Sequence, residues 1–316
     1  MDYKNPLVTF GFINCNRLFY LKSCVESLLK CTQDYENKEL IIVDNASIET
    51  GTDEYLSDLE SRGYTVVRNT IRDPNNEFAR ALNTIIEKAN GKYVCPLAGD
   101  MQFIVEGGWL KDYVDVYENL SDHVGSILFD AQRALRINTG YYSNTFGDNL
   151  GFVFDYKRGP FAPSCNSFFS KEKVEKYIGK WSTNKGAHEG EMSAEAEVDN
   201  KIKTMKAKGE ILWNQLMPLH PVSVAIYTDS RGTMGRIRGN RMFGDYWEAK
   251  KDNLYYELVS YENACKAQYN NIDKPQSIEQ VVKTIGYDAP IDEHGSWKKM
   301  HLSPSDAKPE DWRDVV

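Results

Sequence analysis

No apolar stretch in the 316 residues approaches the roughly 20 that a membrane-spanning helix needs. The opening MDYKNP lacks the character of a signal peptide, so the expectation is a cytoplasmic protein. The six cysteines (Cys15, Cys24, Cys31, Cys95, Cys165 and Cys265) form no CxxC pair and show no metal-ligand spacing. Several sit inside apolar runs, which predicts buried free thiols in a reducing compartment. Positive charge is also short. A net charge of −8 argues against a broadly nucleic-acid-binding surface, although a local basic patch is compatible with it. The first apolar strand is not followed by G-x-G-x-x-G, which a dinucleotide fold uses for close approach to pyrophosphate. That weakens an NAD or FAD reading. Internal repeats and low-complexity tracts are absent.

What is present suits a full-sized α/β core. Hydrophobic residues make up 41% and charged residues 27%, ordinary values for a globular chain. LVTFGFIN (7–14) reads as a buried strand, and Leu18, Leu21, Val25, Leu28 and Leu29 then recur at helical spacing. Leu40 to Val43 is an unbroken apolar strand ending in Asp44 and Asn45, as expected for a strand buried on both faces. TDEYLSDLESR is a polar helix closed by Gly63, YTVVRN a third strand, and EFARALNTIIEKAN an amphipathic helix stopped at Gly91. The alternation of strand and helix predicts a mostly parallel, Rossmann-like sheet with right-handed crossovers.

The chain is organised around LAGDMQF (97–103). A short apolar strand reaches Gly99 and delivers one carboxylate, Asp100, at the end of the sheet where open α/β folds bind ligands. A carboxylate there can hold a hard divalent cation, which in turn holds phosphate oxygens. Asp44, at the end of another strand, can accept hydrogen bonds from a base or ribose. Gly-Asp is also common turn chemistry, so neither acid decides the matter alone.

Taken together, VTFGFINCNR, IIVDNAS and EFARALNTIIEKANGKYVCPLAGD resemble a family 2 glycosyltransferase with the GT-A fold. Phe78, Ala79, Ala81, Asn83, Ala89, Gly91, Tyr93 and Asp100 fall in register with the family's G-F-A-x-A-x-N, A-x-G-x-Y and aspartate motifs. The resemblance implies an inverting transfer of sugar from a UDP- or GDP-linked donor to a hydroxyl acceptor, assisted by Mn²⁺ or Mg²⁺. It implies donor contacts from Thr9, Phe10, Asp44, Asn45 and Arg80, with Asp100 as the aspartate of the D-x-D motif. Two departures stand out. Glu77 occupies a position where glycine is usual, and Ala98 and Gln102 flank Asp100 where further aspartates are expected.

Downstream, residues 136–160 are rich in Gly, Asn and Tyr and show no sustained period. HEGEMSAEAEVDN brings Glu189, Glu191, Glu195, Glu197 and Asp199 to the start of a helix that ends near Gly209. Inversion needs one carboxylate to take the acceptor's proton, and Glu197 is the first candidate, with Glu195 and Glu191 behind it. An acidic helix start also simply complements the helix dipole. Leu219 to Tyr227 reads as a last strand. Asp229 follows it as a second metal-ligand candidate, and Arg236 and Arg238 lie in an Arg/Gly stretch suited to diphosphate oxygens. The same arginines are compatible with an anionic acceptor such as nucleic acid.

The expected organisation is a GT-A domain over 1–244, with a nucleotide-binding half (1–103) and an acceptor-binding half (104–244). A mainly helical or irregular extension, 245–316, would wrap the domain or mediate homo-oligomerisation. Polysaccharide, lipid-linked glycan, protein and modified nucleic acid are all compatible acceptors. Two other functions fit the same sheet: a non-catalytic protein that binds nucleotide sugar or glycan, and a nucleotidyltransferase. The latter normally wants a basic, glycine-rich loop after the first strand, where CNRLFYLK offers only Arg17 and Lys22.

Overall fold

A computed structural model describes residues 5–73, 76–99, 101–122, 124–129, 141–142, 152–155, 165–183, 194–218 and 222–225. The first hundred residues alternate as predicted: β1 (Val8–Asn14), α1 (Leu18–Cys31), β2 (Lys38–Asn45), α2 (Thr52–Ser61), β3 (Thr65–Asn69), α3 (Glu77–Lys88) and β4 (Tyr93–Leu97). Then come β5 (Met101–Phe103), α4 (Trp109–Asn119), β6 (Val124–Leu128), β7 (Tyr141–Tyr142), β8 (Phe152–Asp155) and β9 (Ser167–Ser170). A helical segment, α5, starts at Lys171–Lys173 and continues as a π-type turn over Val174–Ile178. Helix α6 (Ala194–Ala207), β10 (Asn214–Pro218) and β11 (Ser223–Ala225) follow.

The main sheet has the order β3-β2-β1-β4-β9-β6-β10-β8-β7. Strands β3, β2, β1 and β4 form a parallel block. Strand β9 is inserted antiparallel between β4 and β6, and β10 is parallel to β6. Strand β8 runs antiparallel to both β10 and β7. All strands but β8 and β9 therefore point one way, and the expected mostly parallel sheet is present. A separate two-stranded ribbon pairs β5 antiparallel with β11.

Side chains alternate across each strand, so a strand buried on both faces feeds two cores. Leu40 and Ile42 of β2 join the layer built with α1, α2 and α4, whereas Ile41 and Val43 join the layer built with α3, α5 and α6. The first layer holds a run of rings. Phe103 stacks on Trp109, Tyr113 on Phe129 and Tyr93 on Phe168, with centroids 4.7 to 5.4 Å apart. The second layer is closed by Trp181 and Trp213, both fully buried.

Two strands escape the sequence pattern. Strand β10 begins with the polar pair Asn214 and Gln215 and ends in Pro218, so it has no apolar period. Gln215 is nevertheless buried beside Ser126. Of the strand predicted over Leu219 to Tyr227, the described residues are 222–225, and Ser223–Ala225 of these form β11, paired with β5 and not with the main sheet.

Asn83, in register with the last residue of the G-F-A-x-A-x-N motif, has a structural role. Its Nδ2 donates to the Trp181 carbonyl and its Oδ1 accepts the Trp181 N–H, both at 2.9 Å. The side chain imitates a strand partner and clips the segment after α5 onto α3. Asn83→Ala should lower stability by about 2 kcal/mol, because it orphans a donor and an acceptor beside a buried tryptophan. Asn83→Asp keeps the acceptor, places a carboxylate against the Trp181 carbonyl, and should be at least as damaging. Urea unfolding of the two variants tests the assignment. Equal stability of wild type and Asn83→Ala would refute it.

Candidate functional site

From β1 the chain steps outward to β2 and β3, then returns to the other side of β1 as β4. That reversal is a topological switch point, and it opens a crevice beyond the carboxyl ends of β1 and β4. The described residues at this end are mostly small and polar: Asn14 to Asn16 at the end of β1, Asp44 to Ser47 at the end of β2, Asn69 at the end of β3, and Ala98 and Gly99 after β4. Strand β9 starts at the same end, so Cys165 and Asn166 join them.

Asp44 is the centre of a tight network. Its Oδ1 accepts from Asn14 Nδ2 at 2.7 Å and from the Ser47 hydroxyl at 2.6 Å, and its Oδ2 accepts the Ser47 N–H at 2.9 Å. The Ser47 hydroxyl in turn accepts the Asn16 N–H at 2.8 Å. Asn16 Oδ1 accepts the N–H groups of Ile48 and Glu49 at 2.7 and 3.2 Å, which ties the loop after β1 to the loop after β2. Glu49 then accepts the Leu18 N–H at the start of α1, satisfying one of the orphan donors of that helix. Next along, Asn69 Nδ2 donates to Asn45 Oδ1 at 2.8 Å.

The backbone is strained at the same place. Among the described residues the non-glycine residues with positive φ are Asn16 (50°), Ala46 (55°) and Asn166 (64°), and all three border the crevice. Asparagine tolerates this region, but alanine pays a steric penalty there, and such conformations cluster at ligand sites. Asn166 also braces β4. Its N–H donates to the Pro96 carbonyl at 2.6 Å and its Oδ1 accepts the Ala98 N–H at 3.1 Å. These bonds hold Pro96 and Ala98, at the end of the strand that leads to the aspartate. Gly99, the last described residue before Asp100, has a φ of 81°.

Charged groups line the β3 side. Arg72 pairs with Glu77 at 3.2 Å, and Arg80 pairs with Asp73. Cys15 lies within electrostatic reach of Arg72, Glu77, Asp44 and Arg17. Burial pushes its thiol up to about 11, so it is protonated at neutral pH and is not a nucleophile there. The five described cysteines are all free, three of them buried and two, Cys15 and Cys165, half-buried.

The structure sorts the sequence-based candidates. Asp44 and Asn45 meet in the crevice. Arg80 is at its rim and already carries a carboxylate partner. Thr9 and Phe10 lie elsewhere: they sit near the start of β1, about 13–16 Å of strand before Asn14. Thr9 donates to Glu39 and accepts the Gly91 N–H, and Phe10 is core, so both have structural work at the wrong end of the sheet. Glu195 and Glu197 lie on the first turn of α6, half-buried and exposed respectively, while Ala194, Val198 and Ile202 pack inward. Asp199 pairs with Lys203 at 2.5 Å. Asp100, Glu191, Asp229, Arg236 and Arg238 lie outside the described residues, as does the extension 245–316. Asn14, Asn16, Ser47 and Asn166 are additions. Amides directly after apolar strands were the available signal for the first two.

Residues 11–178, just over half of the chain, match the family described as Glycosyl transferase family 2. The chain belongs to glycosyl transferase family 2. Its fold is accordingly GT-A, α/β with a mostly parallel sheet flanked by helices. Among solved structures, it is similar to S. aureus TarS, with a TM-score of 0.46 and 11% identity over 87% of this chain and 50% of that one. It is also similar to TarS 1–349 in complex with UDP-GlcNAc (0.44, 14%, over 62% of this chain and 53% of that one). A third is the mannosyltransferase PcManGT from Pyrobaculum calidifontis in complex with GDP-Man and Mn²⁺ (0.44, 17%, 84% and 74%). The chain spans about half the length of the TarS structures it matches. No curated protein sequence matches it.

Among the described residues of this family 2 chain, no three His, Cys, Asp or Glu side chains converge as a metal cage. The position two after Asp100 is Gln102, buried in β5, so it adds no carboxylate. Asp44 is engaged by neutral donors and is not arranged as a metal ligand. No described helix is long and apolar enough to cross a membrane.

Proposed function

We propose that this protein transfers a sugar from a nucleoside-diphosphate donor to a hydroxyl acceptor. The observation that carries the reading is the braced crevice at the β1/β4 switch point. A buried carboxylate, Asp44, lies beside it at the end of β2, and Gly99, the residue before Asp100 in the sequence, lies beside it at the end of β4. In this reading Asp44 and Asn45 hold the nucleoside, and Arg80 together with Arg236 and Arg238 meets the diphosphate. One of Glu197, Glu195 and Glu191 takes the proton of the attacking hydroxyl, with inversion at the sugar carbon. Removing that proton makes the oxygen a competent nucleophile as the bond to the diphosphate breaks on the opposite face.

A divalent cation, Mg²⁺ or Mn²⁺, belongs at Asp100, with Asp229 as a second ligand. Such ions are commonly held by one or two carboxylates plus substrate phosphates, so Asp100 and Asp229 would suffice for an ion that arrives with the donor. When bound, it neutralises charge on the departing diphosphate.

The test is a thermal-shift screen of UDP-, GDP-, CDP- and dTDP-sugars, each with Mn²⁺ and with EDTA. A donor at a hundredfold excess over its Kd stabilises by about 2.7 kcal/mol, a rise of several degrees. The expected result is a shift with one nucleotide class that disappears in EDTA. A shift that survives EDTA removes the metal and keeps the transferase. Donor binding without release of nucleoside diphosphate would instead support a non-catalytic binding protein, which the missing aspartate at Gln102 favours.

A further inference from the structure

We infer that Asn166 is a positioning residue for donor turnover. The inference rests on the nucleotide-sugar reading above and on how β4 is held at its carboxyl end. Strand β4 lies inside the sheet, between β1 and β9, yet carries Pro96 one residue before its last. Proline has no N–H to give a ladder and is normally kept to sheet edges and bulges. Regular pairing of β4 with β9 covers only Tyr93 and Val94, opposite Ser170 and Phe169. Asn166 continues it by other means. Its N–H donates to the Pro96 carbonyl at 2.6 Å, and its Oδ1 accepts the Ala98 N–H at 3.1 Å. A strand residue's N–H and carbonyl face the same neighbour, so the donor that Pro96 lacks is missing on the β9 side. The Asn166 side chain takes over the ladder there, at a φ of 64° that asparagine tolerates and most residues do not.

The same residue starts a belt of bonds that reaches the far side of β5. The Asn166 carbonyl accepts the Phe129 N–H at 3.5 Å, and the Phe129 carbonyl accepts the Val222 N–H at 3.2 Å. The Val222 carbonyl then accepts the Ile104 N–H at 2.9 Å, and Ser27 Oγ accepts the Phe103 N–H at 3.0 Å. The chain is thus held at Ala98 and again at Phe103 and Ile104, and Asp100 lies between these points in the sequence. Phe129 and Val222 act through backbone alone, so Asn166 is the member of this belt whose side chain takes part. A misplacement of about 1 Å at a reacting centre can cost as much as 10²-fold in rate, which is the leverage such a brace has. Non-glycine backbone held at positive φ clusters at sites of this kind.

The experiment follows release of nucleoside diphosphate by the whole chain from UDP-, GDP-, CDP- and dTDP-sugars in Mn²⁺, for wild type, Asn166→Gly, Asn166→Asp and Asn83→Ala. Asn166→Gly suits the positive φ and keeps the N–H to Pro96, but loses the oxygen on Ala98, so it should fold. Its kcat should fall about tenfold or more, while KM for the donor stays within about twofold. Asn166→Asp keeps the acceptor and tolerates the same φ, so its kcat should return to within about threefold of wild type. Asn83→Ala is the destabilised control and should keep its kcat below its melting temperature. A wild-type kcat in Asn166→Gly would overturn the role of Asn166 and leave the nucleotide-sugar reading standing. So would an equal fall in Asn83→Ala, which would mean general loosening, or an Asn166→Asp as slow as Asn166→Gly. No release from any donor by wild type would overturn the nucleotide-sugar reading and this inference with it.

Discussion

Gly125→Ala should destabilise the fold by about 3 kcal/mol, at the upper end for forcing a methyl into a packed core. Gly125 lies on β6 in the middle of the sheet. The indole of Trp213, the residue preceding the neighbouring β10, occupies the space beside Gly125 that a Cβ would take. A methyl added there would overlap the Nε1, Cε2 and Cδ1 atoms of that ring. Trp213 is fully buried, so the rigid ring has nowhere to rotate. The melting temperature should fall by roughly 6–12 °C. Gly63 makes the control. A methyl there meets nothing within 4 Å, but its φ is 87°, so Gly63→Ala should cost about 1–2 kcal/mol through backbone strain alone. Combining Gly125→Ala with Trp213→Leu should be less damaging than the sum of the two, because the leucine vacates the space that the methyl needs. Additive losses would mean that Trp213 is not what excludes the methyl.

The parallel half of this sheet was legible because its strands are buried on both faces. Phe10, Phe12, Ile41 and Val43 leave an unbroken apolar signature that a period-counting reader cannot miss. Helix α3 was legible for the opposite reason: Ala79, Leu82, Ile85 and Ile86 mark one buried face on an otherwise polar segment. Strand β10 was not. Its burial comes from neighbours contributed by β6 and β8, and its own residues, with Asn214, Gln215 and Pro218, carry no period. Strand β5 is three residues long, too short for any pattern.

At the site, the acids were legible and their supports were not. Asp44 and Asn45 announce themselves by ending an apolar run. Asn14 and Asn16 matter through bonds to residues about 30 positions away, and Asn166 braces Ala98 from 68 positions away. Such partners are fixed by strand order, which composition does not encode. Thr9 shows the limit of a resemblance. The resemblance implies a donor contact there, whereas the strand places Thr9 at the end of β1 away from the crevice, bonded to Glu39 and Gly91.

Asp100→Asn is expected to reduce donor turnover by about 10²–10³-fold, the effect of losing roughly 3–4 kcal/mol of charge stabilisation on the departing diphosphate. Asparagine keeps the size and hydrogen-bonding shape of the side chain, so Gly99 and the Asn166 brace on Ala98 are undisturbed and the melting temperature should hold. The separation from Asp44 is the point of the experiment. Asp44→Ala removes the group assigned to the nucleoside, so it should weaken donor binding, read as a raised KM, more than it slows the bound complex. It also strips the partner from Asn14 and the Ser47 loop, so some loss of stability accompanies it. Asp100→Asn should show the reverse split: kcat falls steeply and nucleotide affinity becomes insensitive to Mn²⁺. Release of nucleoside diphosphate from the donor, followed with and without added Mn²⁺, measures both quantities without requiring the acceptor. Full activity in Asp100→Asn would remove the metal from this position. Equal falls in kcat and affinity for both variants would mean that the two acids form one binding unit, not separate sites for base and diphosphate.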